Sequence, residues 1–130
     1  MCMSNPITPF LMFSGQAEEA MNHYLSIFDD SNIQQIFHHE DGKVMYAIFT
    51  LKGQTFRCID NTNGDHHAFT PALSLFVACE SDEEIETIFQ RLSDHGQVLM
   101  PLASSPVSEK FGWVEDKYGV SWQLNLEKKQ

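Results

Sequence analysis

KFGWVEDKYGVSWQLNL, residues 110–126, reads as strand, turn, strand. Phe111–Glu115 is the first strand and Val120–Leu126 the second. Asp116-Lys117-Tyr118-Gly119 joins them, with Gly119 free to take positive φ. The second strand alternates: Val120, Trp122, Leu124 and Leu126 share one face, Ser121, Gln123 and Asn125 the other. The apolar face demands a core. The polar face either meets water or lines a polar cavity, and the functional question is which.

Upstream of this hairpin, Pro71–Cys79 reads as a strand. Ser81-Asp82-Glu83-Glu84 fits a capping box, Ser at N-cap and Glu at N3. The helix it opens runs to about Asp94 on a stripe of Ile85, Ile88, Phe89 and Leu92, and His95-Gly96 ends it. Gln97–Leu102 is a strand and Ala103–Ser108 a loop. The first half follows the same plan. Ile7–Phe13 is a strand with Pro9 near its start. Ser14-Gly15 opens a helix to about Phe28, with Gly15 as N-cap and Glu18 at N3. Its stripe is Ala17, Ala20, Met21, Tyr24, Ile27 and Phe28. Strands follow at Ile33–His39, Val44–Leu51 and Gln54–Asp60, broken at Asp41-Gly42 and Lys52-Gly53. Asn61–Thr70 is a polar loop. The halves superpose: Glu18-Glu19 and Glu83-Glu84 stand 65 residues apart, and Gly53-Gln54-Thr55-Phe56 meets Gly119-Val120-Ser121-Trp122 at an offset of 66. Each half is therefore one βαβββ unit.

The chain has 130 residues, 42% of them hydrophobic, enough for a packed core in an ordinary soluble domain. Eight basic against eighteen acidic residues give a net charge of −10. That charge repels nucleic acid and anionic membrane surfaces, so both are set aside as partners. No apolar run reaches the ~18–20 residues of a membrane span, and MCMSNPITPF has no secretory pattern. Three cysteines, Cys2, Cys58 and Cys79, with no C-x-x-C, suit free thiols in the cytoplasm.

Ile7-Thr8-Pro9-Phe10-Leu11, Gly15-Gln16-Ala17-Glu18-Glu19-Ala20, Phe111-Gly112-Trp113 and Asp116-Lys117-Tyr118-Gly119-Val120-Ser121-Trp122-Gln123, on two βαβββ units, carry a family resemblance. The chain resembles the PhnB-like branch of the vicinal oxygen chelate superfamily, to which glyoxalase I, extradiol dioxygenases and bleomycin- and fosfomycin-resistance proteins also belong. The resemblance spans nearly the whole chain. It implies an α+β fold: one domain over residues 1–130, with modules at about 6–62 and 71–127. Together they would form a cup-shaped eight-stranded mixed sheet, with helices outside and a ligand cavity inside, usually in a homodimer. Some relatives carry a 3-demethylubiquinone methyltransferase label. The sequence does not support that activity, because no Gly-rich loop leads from a strand into a helix.

Sorting residues onto the two faces of such a cup gives a candidate ligand site. Leu73, Leu75 and Val77 go under the helix, leaving Ser74 and Phe76 in the cavity beside Ser121, Gln123 and Asn125. Phe56 matches Trp122 in the repeat, so Arg57 and Ile59 face the cavity. In the first strand Phe10 and Met12 take the helix side, leaving Leu11 and Phe13. The expected site is apolar with a few polar groups, as small-molecule sites usually are.

Metal-dependent members of the superfamily place His, Gln or Glu at four inward positions. Here these fall at or beside Pro9, Arg57, Ala72 and Gln123, and only Gln123 could ligate. A divalent metal needs several convergent donors, so the expectation is no metal and no cofactor. His38-His39 and His66-His67 are adjacent pairs, which point to opposite faces in a strand. In a loop, His66-His67 with Asp65 could gather a metal, although solvated polarity is the simpler account. Cys79 precedes a helix N-terminus, but Glu80, Asp82, Glu83 and Glu84 oppose a thiolate.

Arg57 has two readings. Pointing inward among Leu, Phe and Ile, it must be paired or must await an anion, which favours an anionic or carbonyl-bearing ligand oriented by Gln123 and Asn125. Pointing outward, it solvates the sheet. Two functions follow: a metal-free small-molecule binding homodimer, or a metal-dependent lyase, isomerase or group transferase of the superfamily.

Overall fold

The computed structural model describes residues 6–64 and 67–128. The chain forms two units, Met1–His67 and Ala68–Gln130, each with one four-stranded mixed sheet and one helix. The fold class is α+β, built from two βαβββ units as the repeat requires.

Turn chemistry sets the first unit. β3 (Val44–Leu51) and β4 (Gln54–Asp60) have the bounds read from sequence. They meet at Lys52-Gly53, where both residues take positive φ, 51° and 81°. A two-residue turn of that hand matches strand twist and fixes the register. Leu51 pairs with Gln54, Ile48 with Arg57 and Ala47 with Cys58. β1 (Phe10–Phe13) adds parallel to β4, and β2 (Asn32–His38) antiparallel to β3, giving the order β1-β4-β3-β2. α1 (Ala17–Ile27) returns over one face of this sheet. It buries Ala17, Ala20, Met21 and Tyr24 on the face that carries Ala47, Phe49, Phe56 and Cys58. The Phe49 and Phe56 rings stack there at 5.3 Å.

Two expectations for this unit are corrected. β1 has the opposite phase: Leu11 and Phe13 are 7% and 2% exposed, whereas Phe10 is 51% exposed. All four strand residues are apolar, so alternation cannot choose between faces. Pairing chooses, because Leu11 sits beside buried Cys58 and Phe13 beside buried Asp60. The helix cap also differs. The N-cap is Gln16, and its side chain makes no capping bond. Asp60, buried at the end of β4, does that work instead. Its Oδ1 accepts from the backbone N–H of Gly15 and of Ala17, each at 2.9 Å, and its Oδ2 accepts from Val44 N–H at 2.9 Å. Three donors satisfy the carboxylate, and its charge faces the positive end of α1.

The second unit has the strand order β5-β8-β7-β6. β5 is Ser74–Cys79, α2 Asp82–Ser93, β6 Gln97–Ala103, β7 Ser108–Glu115 and β8 Ser121–Glu127. β5 runs parallel to β8, with Val77 beside Leu124 and Cys79 beside Leu126. The capping box forms: Ser81 Oγ accepts from Glu84 N–H at 3.0 Å, and Glu84 Oε1 reaches back to Glu80 N–H at 2.8 Å. Asp116 organises the last hairpin. Its Oδ1 accepts from Tyr118 and Val120 N–H, and its Oδ2 from Trp122 Nε1 at 2.8 Å. Leu73, expected under the helix, precedes the strand and is exposed. β7 begins three residues before Phe111, inside the expected loop. Lys110 belongs to it by pairing with Leu126 of β8, and its ammonium lies 3.1 Å from Asp82 Oδ1 and also bonds Glu86, both on α2. Among the described residues no helix is long and apolar enough to cross a membrane.

Candidate functional site

In each unit one sheet face lies under the helix and the other lies open. In the first unit the open face carries Phe10 and Met12 from β1, Arg57 and Ile59 from β4, and Tyr46 and Ile48 from β3. Arg57 sits between Phe10 on one strand and Ile48 on the other. Its Nε donates to Thr8 Oγ1 at 3.2 Å, and its Nη1 donates to the Tyr46 hydroxyl. Both partners are neutral. Among the described residues no carboxylate pairs with this half-buried guanidinium. Sequence reasoning singled out Arg57 and missed Thr8 and Tyr46. The Lys52-Gly53 turn held the signal: counting outward from it pairs Ile48 with Arg57 and so places Tyr46 on the same face.

In the second unit the open face carries Ser74 and Phe76 from β5 and Ser121, Gln123 and Asn125 from β8. Ser121 is only 1% exposed. Its hydroxyl accepts from Trp113 Nε1 at 2.7 Å and shares a hydrogen bond with Ser74 Oγ at 2.7 Å. Asn125 Oδ1 accepts from Ser108 Oγ at 2.6 Å, which leaves its amide N–H groups for other partners. A cleft of about 520 Å³ opens beside it, walled by Phe76, Met100, Val107 and Phe111, with Ser108, Asn125 and Glu127 among its polar groups. That volume is in the range of small-molecule sites.

Of the nine residues expected at the site, Arg57 and Ile59 lie on the open face of the first unit. Ser74, Phe76, Ser121, Gln123 and Asn125 lie on the open face of the second. Leu11 and Phe13 do not join them, because the phase of β1 buries both on the helix side.

The donor set does not fit a divalent metal. Pro9 and Ala72 offer no side-chain donor, Arg57 is a cation, and Gln123 offers one amide oxygen. Among the described residues no group of three or more His, Cys, Asp or Glu side chains could hold a metal ion. Asp65 and His66 lie outside the described residues. His38 Nε2 bonds Glu18 Oε1 at 2.7 Å, on the helix side of the sheet. Burial and, secondarily, the Asp60 charge push the Cys58 thiol up to about 12, so it stays protonated.

The family model described as 3-demethylubiquinone-9 3-methyltransferase matches residues 5–125. The solved PhnB protein from Bacillus cereus is 54% identical, covers 94% of this chain and 99% of its own, and superposes with a TM-score of 0.90. Protein YjdN of Escherichia coli is 22% identical over 144 residues, spanning 96% of this chain and 97% of YjdN. A glyoxylase/bleomycin resistance protein/dioxygenase domain from Frankia shares the fold at 13% identity, covering 98% of this chain and 95% of its own, with a TM-score of 0.71.

Proposed function

The chain belongs to the 3-demethylubiquinone-9 3-methyltransferase family, with the fold of the glyoxalase, bleomycin resistance and dioxygenase superfamily, and on that premise we propose that it is a metal-free small-molecule binding protein acting as a homodimer. The observation that carries this reading is Arg57. A guanidinium set among Phe10, Ile48 and Ile59 with only hydroxyls as partners lacks a counter-charge. Holding a cation on an apolar surface is costly unless an anion completes it, so the ligand supplies that anion. Methyl transfer does not follow from family membership. β1 passes to α1 through Ser14-Gly15-Gln16, with no Gly-rich loop to cradle a nucleotide-type cofactor.

The homodimer reading rests on exposed apolar side chains. Phe37 and Met45 lie open in the first unit, Leu73 and Val98 in the second. Surface of this kind favours a covering partner, and a second copy is the partner the superfamily suggests. The second reading, a metal-dependent lyase, isomerase or group transferase, is favoured by superfamily membership alone.

Metal analysis by mass spectrometry and mass measurement by light scattering test both points on the purified chain. The expected result is a dimer with substoichiometric metal. Stoichiometric Zn²⁺, Ni²⁺, Mn²⁺ or Fe²⁺ would transfer the case to the enzyme reading.

A further inference from the structure

We propose, resting on Arg57 as the ligand anchor, that the ligand class is a monocarboxylate with a flat apolar body, and that this face discriminates against phosphate and phosphonate dianions. The hydrogen-bond inventory comes first. A guanidinium has five N–H donors. Thr8 takes one and Tyr46 another, leaving three with no partner among the described residues. The Tyr46 oxygen accepts from Arg57, so its own proton is left to donate, and the same holds for Thr8. Donors dominate the open valences on this spot: three guanidinium N–H groups and two hydroxyl protons, against one remaining lone pair on each hydroxyl oxygen. A group rich in acceptors complements them, as an ionised carboxylate does.

Charge narrows the choice. One cation faces the ligand. The other cations of the first unit, Lys43 and Lys52, belong to the turns on either side of β3. A monoanion is neutralised by Arg57, whereas a dianion would keep one charge unmet on an apolar face of a chain whose net charge is −10. Shape narrows it further. The Phe10 ring, 51% exposed, stands beside Arg57 in the ladder and Ile48 flanks it on the other side. A planar apolar body lies well on that platform while its carboxylate meets the guanidinium fork.

Four probes separate these features on the full ¹⁵N-labelled chain at pH 8, followed by amide shifts. Benzoate has the head group and the body, phenylphosphonate changes the head to a dianion, benzamide removes the charge, and acetate removes the body. Benzoate is expected to shift amides of β1, β3 and β4. Phenylphosphonate and acetate should bind at least about tenfold more weakly, and benzamide should cause no saturable shift. Arg57→Gln should abolish benzoate binding. Tyr46→Phe, which keeps the ring, should weaken it about fivefold, and this variant keeps the test decisive if Arg57→Gln does not fold. Phenylphosphonate binding as tightly as benzoate through Arg57 would overturn the carboxylate assignment and leave the anion anchor standing. Absence of any shift on β1, β3 and β4 with all four probes would overturn both.

Discussion

Replacing Asp60 by alanine tests how the first unit holds its helix. The carboxylate is 4% exposed and takes three backbone N–H bonds, from Gly15, Ala17 and Val44. In Asp60→Ala the exposed Gly15 can turn to water, so its loss is small. Ala17 and Val44 are fully buried, and their N–H groups would be left without acceptors. Each such orphan costs about 1–3 kcal/mol, so the variant should lose about 2–6 kcal/mol. That is a large part of the roughly 5–15 kcal/mol that holds a typical domain. Asp60→Asn keeps an oxygen for Gly15 and Ala17 but sets an N–H against Val44, and should lose about 1–3 kcal/mol. Ser81→Ala is the control: it removes the exposed cap bond of α2 and should cost about 1 kcal/mol. Urea unfolding followed by far-UV circular dichroism reads both units, whereas Trp113 and Trp122 fluorescence reads the second unit. Asp60→Ala should move the dichroism transition more than the fluorescence transition, unless the units unfold together. A loss in Asp60→Ala smaller than that in Ser81→Ala would refute the long-range cap.

Three more outcomes follow from packing and charge. The Cys58 thiol ionises near 9.0 when unfolded and near 12 when folded, so above pH 9 the unfolded chain releases a proton that the folded chain keeps. Stability then falls as pH rises, by about 1 kcal/mol between pH 9 and 10 relative to Cys58→Ala, read from urea midpoints of the two proteins. Gly112→Ala would set a methyl 2.7 Å from Phe89 Cε2 and 2.8 Å from Leu102 Cδ2; overpacking of this kind should cost about 1–3 kcal/mol in the same assay. Trp122→Phe keeps the ring under α2 but removes the indole bond to buried Asp116. It should destabilise the second unit by about 1–3 kcal/mol, and an unchanged midpoint would show that water replaces the bond.

Strand bounds were legible wherever alternation met a turn of known chemistry. β3 and β4 begin and end as read because Lys52-Gly53 allows one hairpin register. The phase of β1 was not legible from Phe10–Phe13 alone, since every residue there is apolar. The repeat did hold it: Phe10 and Phe76 are 66 apart, and both ladder partners, Arg57 and Gln123, lie on open faces. Applied to Phe10, the offset would have sent Leu11 and Phe13 to the core. The Asp60 cap had no local signal, because its three donors come from residues 16 to 45 positions away in sequence. A strand start made of Ser108, Glu109 and Lys110 looks like a loop in sequence, because its partners, Glu127 for Ser108 and Leu126 for Lys110, lie on the following strand β8.

The two units differ in a way that points to where their chemistry lies. On the helix side the ladder keeps apolar residues in both: Leu11 beside Cys58 in the first, Val77 beside Leu124 in the second. Burial explains this, since any polar group there would need a partner. On the open side the same ladder positions diverge. Arg57 stands between Phe10 and Ile48, whereas Gln123 stands between Phe76 and Trp113. Thr8 and Tyr46 support the arginine, whereas in the second unit Ser74, Ser121 and Trp113 bond one another. One scaffold thus holds a surface with a cation and unused donors and another whose serine hydroxyls are already engaged. Stability requires only the shared, buried side. The open side is free to differ, and the cation set on an apolar surface in the first unit is the feature that packing within that unit does not account for.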